Sequence, residues 1–145
     1  MEQLLTAGTA KDCPVAVFIR DGQMLVGLRH YTPEKWKAIS VWTVPGGRCE
    51  NNGETLEETL RREVREEIGV TEFRILEYIG TVAGAMEGDT VHLVGAETDQ
   101  EPRNCEEEKF SEWKWISFDA MPENFINPPA LEVIKAYWTR RQTAA

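Results

Sequence analysis

The chain has 145 residues, enough for one domain with a real hydrophobic core, expected over 1–145, and too few for two. With 16 Lys and Arg against 25 Asp and Glu, the formal charge of −9 argues against partnership with a nucleic acid polymer or an anionic membrane. An anionic substrate would therefore need a cation as mediator.

The opening MEQLLTAGTAKDC lacks the basic start and apolar run of a secretory signal, and no segment reaches the apolar length of a membrane span. Cys13, Cys49 and Cys105 are odd in number and form no CxxC pair, which suits reduced thiols and a cytoplasmic location.

In chain order, CPVAVFIR and QMLVGLR read as two strands around an Asp21-Gly22 hairpin turn, which puts Arg29 at a strand end. HYTPEKWKAIS reads as a loop, and VWTVP as an extended segment ended by Pro45 and the pair Gly46-Gly47. Thr55 followed by Glu58 fits a capping box and Gly69 a C-terminal cap, so a helix is predicted over Leu56–Ile68. Leu56, Leu60, Val64 and Ile68 form its apolar stripe, and at about 100° per residue Glu67 projects into that stripe. A carboxylate there needs a partner. FRILEYIGTVAGA, DTVHLVGAET and EWKWISF supply further strands, with the acidic loop QEPRNCEEEKFS before the last. NPPALEVIKAYWTR reads as a closing helix entered through prolines. These elements predict an α/β fold with a mixed sheet between helices.

The run REVREE sets Glu63, Glu66 and Glu67 in the last turns of the predicted helix, where they meet the negative end of the dipole and repel one another. Folding alone does not justify them. The segment resembles the Nudix box, G-x5-E-x7-R-E-U-x-E-E-x-G-U with U apolar, which Glu54 to Val70 matches at every defined position. One departure stands at the front, where six residues, RCENNG, separate Gly47 from Glu54 instead of five. This reads as one extra loop residue at Asn51-Asn52.

The resemblance implies a Nudix-type α/β/α sandwich and cleavage of a diphosphate linked to another moiety, with Mg²⁺ as cofactor and Mn²⁺ as substitute. It makes Glu63, Glu66 and Glu67 metal ligands, with the Gly47 carbonyl beside them and Glu63 or Glu66 a candidate for activating water. Hard divalent cations prefer such oxygens and would remove the repulsion. Arg62 is expected to orient a box carboxylate, and Glu54 to support the loop or helix start. Arg29 matches a phosphate-contacting arginine of small family members. NCEEEKFSEWKW resembles N-x-E-P-E-K-C-x-x-W-x-W, found in small nucleotide-hydrolysing members, which offers Glu106 as an added ligand or general base and Glu107 as the alternative.

By this resemblance the substrate is a small-molecule nucleotide, first of all a nucleoside or deoxynucleoside triphosphate cleaved to monophosphate and pyrophosphate. Neither the proline of ADP-ribose enzymes nor the tyrosine of dinucleoside polyphosphate enzymes stands sixteen residues past the box, where the residue is Met86. The alternatives are ADP-ribose, a nucleotide sugar or a non-nucleotide diphosphate, and a non-catalytic nucleotide-binding module. Many relatives are dimers, so a homodimer is among the assemblies implied. Trp113 and Trp115 alternate toward one face, as core residues would. Trp36, Trp42 and Tyr31 lie near the glycine loop, for base stacking or for packing. His30, His92 and Cys49 belong to no metal or nucleophile pattern.

Overall fold

The computed structural model describes residues 1–31, 39–50 and 53–144. Strand β1 (Asp12–Arg20) returns as β2 (Gln23–Tyr31) through Asp21 and Gly22, whose φ angles of 52° and 76° give a two-residue turn that matches the twist of the strands. There follow β3 (Ile39–Thr43), α1 (Leu56–Ile68), β4 (Arg74–Ala83), β5 (Thr90–Glu97), β6 (Phe110–Ser117) and α2 (Pro128–Ala144).

Several elements run further than the sequence predicts. β2 and β3 extend into the polar loop because His30 pairs with Ser40 and Tyr31 with Ile39. β6 begins at Phe110, opposite Arg29. α2 passes Arg140 to Ala144, since no glycine or proline stops it. The bounds of α1 are those its caps predict: Thr55 and Glu58 form both bonds of the capping box, and Gly69 closes the helix in the left-handed region.

The sheet is mixed, with strand order β3-β2-β1-β5-β4 and β6 along the other edge of β2. β1 and β5 are parallel; the remaining pairs are antiparallel. β1 and β2 pair only near their turn, at Ile19↔Met24 and Arg20↔Gln23. Beyond that point the chain after β3 leaves β2, and residues 45–49 run beside β1 instead, bonded to Asp12, Pro14 and Ala16. The glycine pair is thereby held against the central strand.

A helix covers each face. Ala16, Phe18 and Leu25 pack with Leu56, Leu60, Val64 and Ile68 of α1. Val15, Val17, Met24 and Val26 face the other way, onto Leu131, Ile134 and Tyr137 of α2. Strands buried on both faces read as continuous apolar runs, which is why CPVAVFIR shows no alternation of polarity. Trp113 and Trp115 both pack against the α1-side core, as their shared face requires. No helix among the described residues is long and apolar enough to cross a membrane.

Candidate active site

The last turns of α1 bring the box carboxylates to the glycine turn. Glu67 is 5% exposed, and its Oε1 accepts a hydrogen bond from the Gly46 N–H at 2.8 Å. Burial pushes its carboxyl up to about 8; the Gly46 N–H and Arg29 pull it down, while Glu63 and Glu106 push it further. Glu63 is raised too, first by burial and then by Glu66 and Glu106, against the pull of Arg62. Its carboxylate lies over Gly47, where an added Cβ would stand 2.5 Å from Cδ and 2.6 Å from Oε2. At Gly46 a Cβ would strike the Pro14 carbonyl oxygen, and φ is 148°, so glycine is required there, whereas at Gly47 only the flexible end of Glu63 stands in the way. Glu66 is more exposed and meets Arg62 Nη1 at 3.3 Å.

Arg62 grips Glu54 with two prongs, Nε to Oε2 at 2.8 Å and Nη2 to Oε1 at 3.0 Å, while Nη1 donates to Glu63 at 3.0 Å. Glu54 also accepts from the Thr59 hydroxyl at 2.9 Å. Hydrogen bonds from Arg62 hold the Glu54 carboxyl below the usual range. The arginine thus ties the start of the helix to its acidic end, from a place among the carboxylates.

The acidic loop docks on the helix terminus. Arg103 N–H donates to the Ile68 carbonyl at 2.8 Å and Cys105 N–H to the Glu67 carbonyl at 3.0 Å, satisfying acceptors that a helix end leaves open. This docking turns Glu106 toward the box, where its charge acts on both Glu63 and Glu67. Glu107 is exposed. Lys109 Nζ meets Glu106 at 3.3 Å. Arg29, on the α1 side of the sheet, has its guanidinium 5.2 Å from the Phe110 ring centre and contributes positive potential at Glu67.

The remaining sequence candidates lie elsewhere or serve packing. Trp42 packs on the α2-side core with Lys114 Nζ 5.0 Å from its ring centre. Trp36, Asn51, Asn52 and the Tyr31 side chain lie outside the described residues. His30 bonds the Ser40 hydroxyl, and His92 sits between the Tyr78 hydroxyl and Asp12, each at 2.8 Å. All three cysteines are free thiols. Burial pushes the Cys13 thiol up to about 12 and raises Cys49, the reverse of what a nucleophile needs.

Three supports carry no sequence signature. Arg20 reaches across to the acidic loop, bonding the Thr98 and Gln100 carbonyls at 2.7 and 2.9 Å and Glu101 at 2.8 Å. Arg48, next to Gly47, forks onto buried Asp89 at 2.8 and 2.5 Å. Gln100 caps the Thr71 and Glu72 amides. Each pairs residues far apart in the chain, so only the fold brings them together.

Among the described residues, no three His, Cys, Asp or Glu side chains are gathered closely enough to hold an ion as they stand. Glu63 and Glu66 are drawn onto Arg62, and Glu67 onto Gly46. The chemistry of the set nonetheless fits a hard divalent cation: oxygen donors alone, with the Glu63 and Glu67 carboxyls raised by burial and by neighbouring like charges, and Gly47 against the Glu63 carboxylate.

The NUDIX domain family model matches residues 12–141. A MutT NUDIX hydrolase from Burkholderia pseudomallei is 23% identical, with 85% of this chain and 95% of that one covered and a TM-score of 0.63. An Ap4A hydrolase from C. elegans is 17% identical over 90% of this chain and 98% of its own, with a TM-score of 0.70. An ADP-ribose pyrophosphatase from Streptococcus suis is 14% identical over 86% and 88%, with a TM-score of 0.66. These likenesses carry the fold; the family model spans the central strands, the glycine turn, the box helix and the acidic loop together. On that match the chain belongs to the Nudix hydrolase family.

Proposed function

We propose that the chain hydrolyses a nucleoside or deoxynucleoside triphosphate to the monophosphate and pyrophosphate, with Mg²⁺, or Mn²⁺ in its place, held by Glu63, Glu66, Glu67, Glu106 and the Gly47 carbonyl. Membership of a hydrolase family makes it an enzyme. The observation that carries the reading is the gathering of Glu63, Glu67 and Glu106 at the end of α1, where Glu106 raises the proton affinity of Glu63 and Glu67, and Glu63 that of Glu67. When bound, the metal would polarise phosphoryl oxygens, lower the pKa of a water and offset the substrate's charge.

The chain's own residues do the rest. Arg62, fixed on Glu54, holds the carboxylate array in register. Arg29 supplies a positive charge at the sheet side of the site, suited to a phosphate oxygen. Of the candidate bases, Glu63 has its proton affinity raised by burial and lies against Gly47, so it is placed to take a proton from the attacking water; Glu66 and Glu106 flank it. Triphosphate is preferred as substrate because the docked acidic loop brings Glu106, of the N-x-E-type segment, onto the box. Free thiols throughout suit a reducing compartment such as the cytoplasm.

The test is phosphate release, with and without added pyrophosphatase, from nucleoside triphosphates, ADP-ribose, dinucleoside polyphosphates and nucleotide sugars with Mg²⁺. Signal from triphosphates that requires the pyrophosphatase is the expected result. Turnover confined to ADP-ribose, dinucleoside polyphosphates or sugar nucleotides, followed by the monophosphate product, would replace the substrate class. No turnover by a protein that still binds nucleotide would point to a binding module.

A further inference from the structure

Residues 45–49 run antiparallel to β1, and three bonds fix the register. Ala16 N–H donates to the Pro45 carbonyl at 2.8 Å, Gly47 N–H to the Pro14 carbonyl at 3.2 Å, and Cys49 N–H to the Asp12 carbonyl at 2.9 Å. Val15 stands opposite Gly46. In an antiparallel ladder, narrow pairs exchange two hydrogen bonds and alternate with wide pairs that exchange none. Residues 14 and 47 form a narrow pair, so its second bond would run from the N–H of residue 14 to the Gly47 carbonyl. Residue 14 is proline and has no N–H. The missing rung therefore falls on the Gly47 carbonyl, and among the described residues no backbone N–H donates to it. The rung that Pro14 does make is the longest of the three, as expected where a ring methylene stands in place of an amide proton.

Proline is rare inside a sheet because it removes a ladder bond. In β1 the loss is confined to one side. A residue's N–H and C=O point to the same edge of a strand, and the Pro14 carbonyl faces Gly47, so the pairing of β1 with β5 loses no donor. Glu63 Oε2 meanwhile lies over Gly47 on the side where a Cβ would stand, so the residue that lacks its rung also adjoins a box carboxylate.

We propose that Pro14 is a positioning residue for the metal site: by withholding an N–H it keeps the Gly47 carbonyl out of the sheet ladder and available as an oxygen ligand. This rests on the reading of Gly47 as a ligand given above. Pro14→Ala restores the N–H. In the metal-free protein labelled with ¹⁵N and ¹³C, the variant should show a through-hydrogen-bond coupling between the residue 14 amide nitrogen and the Gly47 carbonyl carbon. Mn²⁺ affinity, measured by electron paramagnetic resonance without substrate, should weaken about five- to tenfold, the worth of one hydrogen bond now competing with the ion. The thermal midpoint without metal should hold or rise, since a rung is gained. Pro14→Val supplies the same N–H on a different side chain and should weaken Mn²⁺ alike. Absence of the coupling, or wild-type Mn²⁺ affinity in both variants, would overturn the proposal. A wild-type protein that binds no Mn²⁺ would instead overturn the metal-ligand reading on which it stands.

Discussion

Glu67 occupies a position on α1 whose neighbours in projection are Leu56 and Leu60, and like them it is buried. Without an ion its charge is opposed by burial and by Glu63 and Glu106, while the Gly46 N–H and Arg29 favour it. Replacing it with an amide keeps an acceptor for Gly46 while removing the charge. Glu67→Gln should therefore lower kcat/KM by about 100-fold or more, because metal polarisation contributes several kcal/mol and each ~1.4 kcal/mol is tenfold. Melting in the presence of chelator should show the variant as stable as the wild type or more so, since no buried charge remains to be compensated. Unchanged turnover would remove Glu67 from the ligand set. Gly47→Ala tests the neighbouring contact. The added Cβ meets the end of the flexible Glu63 side chain rather than backbone, so the fold should survive while Glu63 is displaced. A loss of about tenfold or more in turnover, with a thermal midpoint near that of the wild type, is expected, since small misplacements at a reacting site are costly.

At the scale of elements, α1 was legible because its signals are local: a cap, a four-residue apolar repeat and a terminal glycine all fall within one segment. The docking of the acidic loop was legible only through a family resemblance, because Arg103 and Cys105 reach the helix end through backbone amides that any residue would carry. The Arg48–Asp89 fork was not legible at all. It joins the glycine turn to the β4–β5 connection, 41 positions away in sequence, and neither residue type stands out in a chain this rich in charge. Asp89 also accepts from the Met86 N–H at 3.3 Å, so one buried carboxylate organises both segments. Hydrogen bonds from Arg48 hold its pKa down to about 2, against an ordinary value near 3.8. A folded value below the unfolded one means that the stabilisation is fully present above about 4 and is lost as pH falls through about 2. Asp89→Asn should thus be less stable than the wild type at pH 5 to 7, with the gap in urea midpoint closing between pH 4 and 2. A gap that stays constant over that range would show that the charge of Asp89 contributes nothing to the clamp.

For the molecule as a whole, the layer order followed from the sequence because helices separated by strands and short turns pack a sheet between them, whereas the splay of β1 from β2 did not. That splay depends on where residues 45–49 find a strand to pair with, a matter of register between distant segments. It is also what sets the glycine turn beneath the acidic end of α1, in a molecule that carries a charge of −9. Two effects of Mg²⁺ on stability must then be told apart: general screening of an acidic surface and occupation of one site. In about 0.15 M salt the Debye length is already about 8 Å, so a further millimolar addition changes screening little. Site binding follows mass action instead, adding about 2.7 kcal/mol at a hundredfold excess over Kd. For a chain of this size that corresponds to a rise of about 5–10 °C in thermal midpoint. The expected result is a rise that saturates with Mg²⁺, is abolished by chelator, is not reproduced by NaCl of equal ionic strength, and is largely lost in Glu67→Gln. A rise that NaCl reproduces, or that Glu67→Gln retains in full, would assign the effect to the surface and leave the helix-end carboxylates without their counter-ion.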